Sequence, residues 1–304
     1  MKGSDTMNAE KDRMLRLLYG FPSVEVEREQ NCREAVLDAA RHLVEKGFKV
    51  VSVNLYGSQN YDCDTPESDF DFKAIIVPTL DDIILNRKPV SHDVEFNGGL
   101  IDIKDIRLMF DNYKKQNVNF IETMFTRWFW ANPDFVHQWE QVRALAGKIA
   151  FADPAKSINC MIGMAKEKEH ALAQPYPSKV AILEKFGFDP KQLMHIVRLY
   201  FLMEAYIEKF EMGDFNYGQI LIPNAEQKAE LMDIKLMNRK INLAMAKDMA
   251  AEHITIMEEL RDKFKHYHPN AWGAVNEDTY AQFDEIKADI MKRAFTADLM
   301  REAK

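Results

Sequence analysis

The strand signals in this chain are confined to its first third. Up to residue 103 several runs alternate apolar and polar side chains, and from 104 onward apolar residues recur every three to four positions. Alternation sends side chains to opposite faces of a strand, whereas the longer spacing builds one face of a helix. The change of period therefore separates a sheet-bearing part from a helical part. Residues 24–46 carry Val36, Ala39, Ala40 and Leu43 at helical spacing, and Gly47 stands where a helix end often needs a left-handed residue. The next run, FKVVSVNLYGS (48–58), reads as a strand, and DFDFKAIIVP (69–78) as a second, closed by Pro78. Residues 90–103 form two strand-like runs around Asn97-Gly98-Gly99, a hairpin signal.

Helical patterns then cover 104–116, 117–130, 133–149, 154–173, 190–211, 225–235, 239–265 and 275–301. They break at Asn132-Pro133, Asp153-Pro154, Pro175 to Pro177 and Gly213, and GQILIP (218–223) reads as a small strand or an extended linker. The expected class is α/β (α+β): a small mixed sheet with helices, followed by a mostly helical C-terminal domain. The domains are expected at 1–150 and 151–304, with about the first 25 residues peripheral.

At 47% hydrophobic and 29% charged residues the composition is that of a globular protein. Three widely spaced cysteines (Cys32, Cys63, Cys160) fit neither a disulfide framework nor a zinc site, which points to a reducing compartment. The N-terminal MKGSDTMNAEKDRM has no signal-peptide core, and no run of 18 apolar residues occurs, so no membrane span is expected and the cytoplasm is the default location. A net charge of −8 disfavours tracking a nucleic-acid backbone through bulk electrostatics. It tilts towards a small substrate, a protein substrate, or contact with only the end of a nucleic acid.

The residues that carry chemistry lie in the strand region. Leu55-Tyr56-Gly57-Ser58 is followed, after ten residues, by Asp69-Phe70-Asp71-Phe72, and later by Ile101-Asp102-Ile103. On a strand, Asp69 and Asp71 share one face while Phe70 and Phe72 enter the core, and Asp102 repeats that arrangement between its isoleucines. Three carboxylates on one open face repel each other unless divalent cations sit between them. Oxygen-only ligands suit Mg²⁺ or Mn²⁺, and such ions serve in-line phosphoryl transfer. Asp69, Asp71 and Asp102 are thus the candidate catalytic and metal-binding residues. Gly57 allows close backbone approach at a strand end, and its neighbouring amides with the Ser58 hydroxyl can cradle phosphates.

The stretch YGSQNYDCDTPESDFDFKAIIVP (56–78) resembles the signature of the predicted nucleotidyltransferases of the DNA polymerase β superfamily, closest to the RNA-repair-associated and phage-encoded group. Ser58, Tyr61, Ser68-Asp69-Phe70-Asp71 and Lys73 match its pattern. The likeness continues through 101–125, where Asp102 takes the third carboxylate's place and Asn117 or Asn119 stands with Glu122 in a supporting helix. It extends to a Lys-x-x-x-His-x-x-Arg helix, here Lys191, His195 and Arg198, and covers about residues 43–265. The resemblance implies an NTP bound by Gly57, Ser58, Lys73, Lys191, His195 and Arg198. It also implies transfer of an NMP to an acceptor hydroxyl, on an RNA 3′ end such as that of tRNA or on a protein side chain.

Lys191, His195 and Arg198 form one helical stripe, read as cations for the triphosphate or as a solvated face. Lys104, Arg107 and Lys114 share a helix face that either binds phosphates or is ordinary exposed surface. Lys73 balances Asp69 and Asp71 or touches a phosphate. The aromatic-rich FTRWFWANPDF (125–135) is read as core, His266 and His268 as plain surface, and Cys63 as a loop thiol with no activating neighbour in sequence. The alternatives are a non-catalytic NTP-binding module that retains the fold, or acids holding structural calcium, which the lack of an EF-hand-like loop disfavours. The base of the NTP is left open.

Overall fold

The computed structural model of the chain describes residues 24–302 apart from Gly98. The stretch expected to be peripheral, and read for a signal peptide, lies almost wholly outside these residues, as does the middle glycine of the expected hairpin turn. Among the described residues the protein is mixed α/β and mostly helical, with one five-stranded sheet and twelve helices. None of these helices is long and apolar enough to cross a membrane.

Helix α1 (Val24–Glu45) leads to strand β1 (Val50–Tyr56). Then come β2 (Asp71–Ile76), the short helix α2 (Leu80–Ile84), and the hairpin β3 (Ser91–Phe96) and β4 (Gly99–Asp105). After α3 (Ile106–Lys114) and α4 (Val118–Ile121), the strand β5 (Phe129–Ala131) completes the sheet. The strand order is β3-β4-β2-β1-β5; β2 and β4 run parallel and every other pair is antiparallel.

Alternation gives the sheet two unlike faces. Val53, Leu55, Phe72, Ala74, Ile101 and Ile103 are buried with Cys32, Val36, Ala39, Ala40 and Leu43, the apolar stripe of α1. Gly47, at φ 86°, turns the chain from that helix into β1. On the other face Val51, Ile75 and Ile106 belong to a second, larger core. At the opposite end of that face stand Asn54 and Lys73, both buried, and Asp102, with Tyr56 and Asp71 at the edge where a cleft opens.

The second core runs into the helices α5 (Val136–Ala150), α6 (Pro154–Ala171), α7 (Val180–Phe186), α8 (Pro190–Glu211), α9 (Tyr217–Leu221), α10 (Ala225–Lys235), α11 (Leu243–Tyr267) and α12 (Glu277–Glu302). Asp or Asn caps several of their starts: Asp153 and Asp189 precede a proline at the first helical position, and Asn224 forms a capping box with Gln227. Val51 and Ile75 of the sheet share one continuous cluster with Trp139, Leu193, Met203, Phe264 and Phe283, so the core passes residue 150 without a break. Helix α12 returns to the sheet-bearing part, where Phe283 stacks on Phe110 with ring centroids 4.1 Å apart.

Three local expectations are corrected. Residues 117–130 are not one helix: α4 and a 3-10 turn (Glu122–Met124) end early, and 129–131 pair with β1 as β5. The unsatisfied edge of β1 outweighs the helical spacing of the aromatics. GQILIP is neither strand nor extended linker, because Tyr217 and Leu221, four apart, are both buried and pull this stretch into α9. Helices α2 and α7 were not expected; a Thr79–Asp82 capping box starts the first, and Gly187 at φ 79° ends the second.

Candidate active site

The site is built on the loop from β1 to β2. Gly57, at φ 84° and ψ −152°, turns the chain out of β1. A Cβ placed there would lie 2.9 Å from Asp71 Oδ2, so the position demands glycine for both conformation and space. A 3-10 turn (Ser58–Tyr61) follows. Two helices and a hydrogen bond within the loop tie it down. Arg28 of α1 donates to both Asp64 oxygens, at 2.9 and 2.7 Å, and to the Gln59 carbonyl at 2.8 Å. Gln59 Nε2 donates to the Asp69 carbonyl at 2.7 Å, and Lys235 of α10 to the Cys63 carbonyl at 2.6 Å.

Asp69 is therefore placed by the loop and not by a strand, since β2 begins only at Asp71. The expectation that alternation sets both acids on one face holds for Asp71 alone. Burial, reinforced by the charge of Asp69, raises the Asp71 pKa above the ordinary carboxylate value.

Asp102 lies beside Lys73, because parallel β2 and β4 pair these two residues in register. Lys73 Nζ is 2.7 Å from Asp102 Oδ2, and Lys104 Nζ is 2.5 Å from Oδ1. The Lys73 ammonium, almost fully buried, also sits 4.2 Å from the Tyr56 ring centroid and 4.6 Å from that of Phe120. Burial pushes the Asp102 pKa up, but the two lysines outweigh it and leave it lowered. Lys73 thus pairs directly with Asp102, while its charge also acts on Asp71 and offsets part of the rise there. With Asp102 held in this way, no three His, Cys, Asp or Glu side chains gather as a metal-binding group among the described residues.

The expected basic face of Lys104, Arg107 and Lys114 does not exist as such. Lys104 is on β4, Arg107 grips buried Asp105 at 2.6 and 3.0 Å, and Lys114 is paired with Asp284. Each charge is already matched by a carboxylate.

Helix α8 does bring Lys191, His195 and Arg198 to one cleft of about 160 Å³, together with Tyr56, Gly57, Ser58, Tyr61, Asp71, Asn119 and Glu122. Their roles differ from a uniform cationic stripe. Arg198 Nη2 lies 3.0 Å from Glu122 Oε2, with both side chains almost fully buried, and its guanidinium covers the Tyr61 ring at 3.7 Å. The Gly57 amide also donates to the Glu122 carboxylate. Burial raises the Glu122 pKa, opposed by Arg198, while burial lowers and Glu122 raises that of Arg198, with a net rise. Arg198 is therefore a wall of the cleft, joined through Glu122 to the glycine that supports Asp71. His195 packs edge-on to Tyr61 at 6.4 Å between centroids. Burial, aided by Arg198 and Lys191, lowers its pKa well below the usual value and keeps the imidazole neutral.

Asn119 faces the cleft, whereas Asn117 caps α4 with its side chain. Lys168 of α6 also lines the cleft and was not singled out from sequence; its spacing from Met164 puts both on one helix face, a signal too common to select it. The aromatic run is core: Trp128 is buried and its indole donates to Glu29 at 2.9 Å. His268 stands 3.1 Å from Glu211, away from the cleft. Burial raises the Cys63 thiol above its ordinary pKa, and that of Cys32 to about 11, so neither is an activated nucleophile.

Against known proteins, no family model matches this chain and no curated protein matches it significantly.

Proposed function

We propose that the protein is a metal-dependent nucleotidyltransferase that moves a nucleoside monophosphate from an NTP to an acceptor hydroxyl and releases pyrophosphate. On this reading the sheet and its covering helices form a nucleotidyltransferase fold of the DNA polymerase β type. The observation that carries it is the largely buried Asp71 carboxylate, which stands against the Gly57 turn in a cleft that Lys191 also lines and feels the negative charge of Asp69. Like charges brought together at the cost of a raised pKa are a feature of functional sites more than of stable folds.

The donor set fits Mg²⁺ or Mn²⁺ in part. Asp69 and Asp71 supply hard carboxylate oxygens with repulsion to relieve, and Asp102 joins them once Lys73 and Lys104 release it. A divalent ion bound there supplies charge neutralisation at the transferred phosphate and a lowered pKa for the acceptor hydroxyl. The chain's own groups do the rest. Gly57 and Ser58 shape the floor, Lys191 draws the phosphates in, and the neutral His195 offers a hydrogen bond without adding charge. In the transfer, the acceptor oxygen forms a bond to the α-phosphorus as the bond to the β-phosphate oxygen breaks. The hydroxyl proton leaves towards Asp102 only once Lys73 and Lys104 have released that carboxylate, and otherwise to solvent, while pyrophosphate departs past Lys191. The acceptor is an RNA end or a protein hydroxyl, in the cytoplasm.

The grip of two lysines on Asp102 favours a second reading, an NTP-binding module without catalysis. Incubation with each α-labelled NTP, Mg²⁺ or Mn²⁺, total RNA and cell protein separates the two. Transfer by the wild type and not by Asp69→Ala/Asp71→Ala supports the enzyme and shows which polymer is labelled. Metal-dependent NTP binding with no transfer to either pool favours the module.

A further inference from the structure

Two lysines of the cleft have no direct ion pair among the described residues. Lys168 reaches the cleft from α6 and Lys191 from α8, and neither has a carboxylate within 4 Å among the described residues. Cations close to them are paired. Lys166, two residues from Lys168 on the same helix, is 2.6 Å from Glu258, and Arg198 is bound to Glu122. His195, between them, is neutral, and Lys168 is among the cations that keep it so. The remaining acid in the lining, Asp71, belongs to the carboxylate pair on the sheet side. Two lysines on neighbouring helices, lining one cleft together with the Gly57 turn and Ser58, call for a multiply charged anion.

We infer that Lys168 and Lys191 together form an oligophosphate-binding face of the cleft, and that Arg198 is a positioning residue which does not touch the phosphates. The nucleotidyltransferase reading is relied on only for the source of the phosphates, the tail of a nucleoside triphosphate. Lysine suits this place because its ammonium is a compact charge on a flexible stem that can follow a phosphate chain. Lys168 has no structural partner to lose, so its replacement should leave the fold intact.

The test is calorimetric titration of the intact protein with inorganic tripolyphosphate, ATP, adenosine and a 5′-triphosphorylated RNA, in chelator so that no transfer takes place. Expected are binding of tripolyphosphate and ATP, and none of adenosine. Lys168→Ala and Lys191→Ala each weaken both by about tenfold, as the loss of one charge-assisted hydrogen bond predicts. Lys168→Arg should retain most of the affinity and Lys166→Ala all of it. Lys168→Met, which keeps the methylene stem, reads the charge alone if the alanine variant loosens the fold. Unaltered affinity in Lys168→Met, or no binding of tripolyphosphate by the wild type, overturns the inference. Equal binding of adenosine and ATP overturns it as well. If the triphosphorylated RNA binds as tightly as ATP through Lys168, the phosphate face stands and the donor nucleotide is not its source. Lysine-dependent polyphosphate binding without transfer of label to any acceptor would leave this face standing and remove the enzyme reading. Transfer without such binding does the reverse.

Discussion

The two ends of strand β1 make opposite use of the surface. At its start, around Lys49, the protein opens into two grooves of about 690 and 750 Å³ that share Gly47, Phe48, Lys49 and Asp298. At its end, beyond Tyr56, the site cleft has about 160 Å³, with a groove of about 490 Å³ on the outer side of the same loop. In the larger spaces Lys49 is paired with Asp298 at 2.5 Å and Arg87 with Asp82 at 3.0 Å. In the small cleft, Asp71 is crowded by Asp69, and Lys168 and Lys191 face it without carboxylate partners. Size alone points to the wrong end. Charge left unbalanced on both sides of a narrow gap marks the place prepared for a ligand, because only a ligand can complete it.

The contrast is broken most directly at Asp71. Asp71→Asn should lower label transfer by at least about 10³-fold, the scale of losing a preorganised charge at a reacting centre. Stability should move the other way. A raised folded-state pKa means that ionised Asp71 disfavours the fold once pH exceeds the folded value, so the neutral variant should melt at or above the wild-type temperature at pH 7. A clear fall in melting temperature would mean that Asp71 supports the structure and that the cleft is not strained for function.

The next effect is on stability. Glu122→Ala leaves a buried Arg198 without its carboxylate and takes an acceptor from the Gly57 amide, at a cost of about 3–5 kcal/mol in urea unfolding. An exposed-pair value of under about 1 kcal/mol would show that the wall of the cleft is not locked. A smaller change concerns pH. His195 has a lowered folded-state pKa, so its stabilising share is complete above the unfolded value of about 6.5 and is lost as pH falls from there towards the folded value. His195→Asn should flatten the loss of stability between neutral and mildly acid pH, followed by thermal unfolding. The least effect belongs to the other end of β1. Lys49→Ala should cost at most about 1 kcal/mol and leave transfer unaltered, since the bridge it removes is partly exposed.

The parts legible in the sequence were those with a period. Alternation in 48–58, 69–78 and 90–103 marked four strands of the sheet, and the Gly57, Asp71 and Asp102 positions came with them. Strand β5 has three residues, fewer than a period needs to become visible, and exists because β1 has an edge to fill. The placement of Asp69 was hidden for a related reason: it depends on Gln59, Arg28 and Lys235, which hold the loop from within and from two helices. Partnerships across long stretches of chain were invisible as well. Nothing local to Arg198 announces Glu122, 76 residues away, and nothing in Asp102-Ile103-Lys104 announces that Lys73 will take the other oxygen. Motif spacing located the charged residues, whereas their pairing decided which of them remain available to a ligand.

The return of α12 to the first part of the chain has a consequence for how the protein is made. Phe283 closes over Phe110, and Lys114 and Asp284 meet across 170 residues of sequence. During synthesis the strands and α3 leave the ribosome with that apolar surface uncovered, and at cellular elongation rates the wait for α12 is on the order of ten seconds. Contacts between such distant segments are slow to form even in the finished chain, because a long loop must close before they are rewarded. Through that interval the nascent chain carries an open hydrophobic seam.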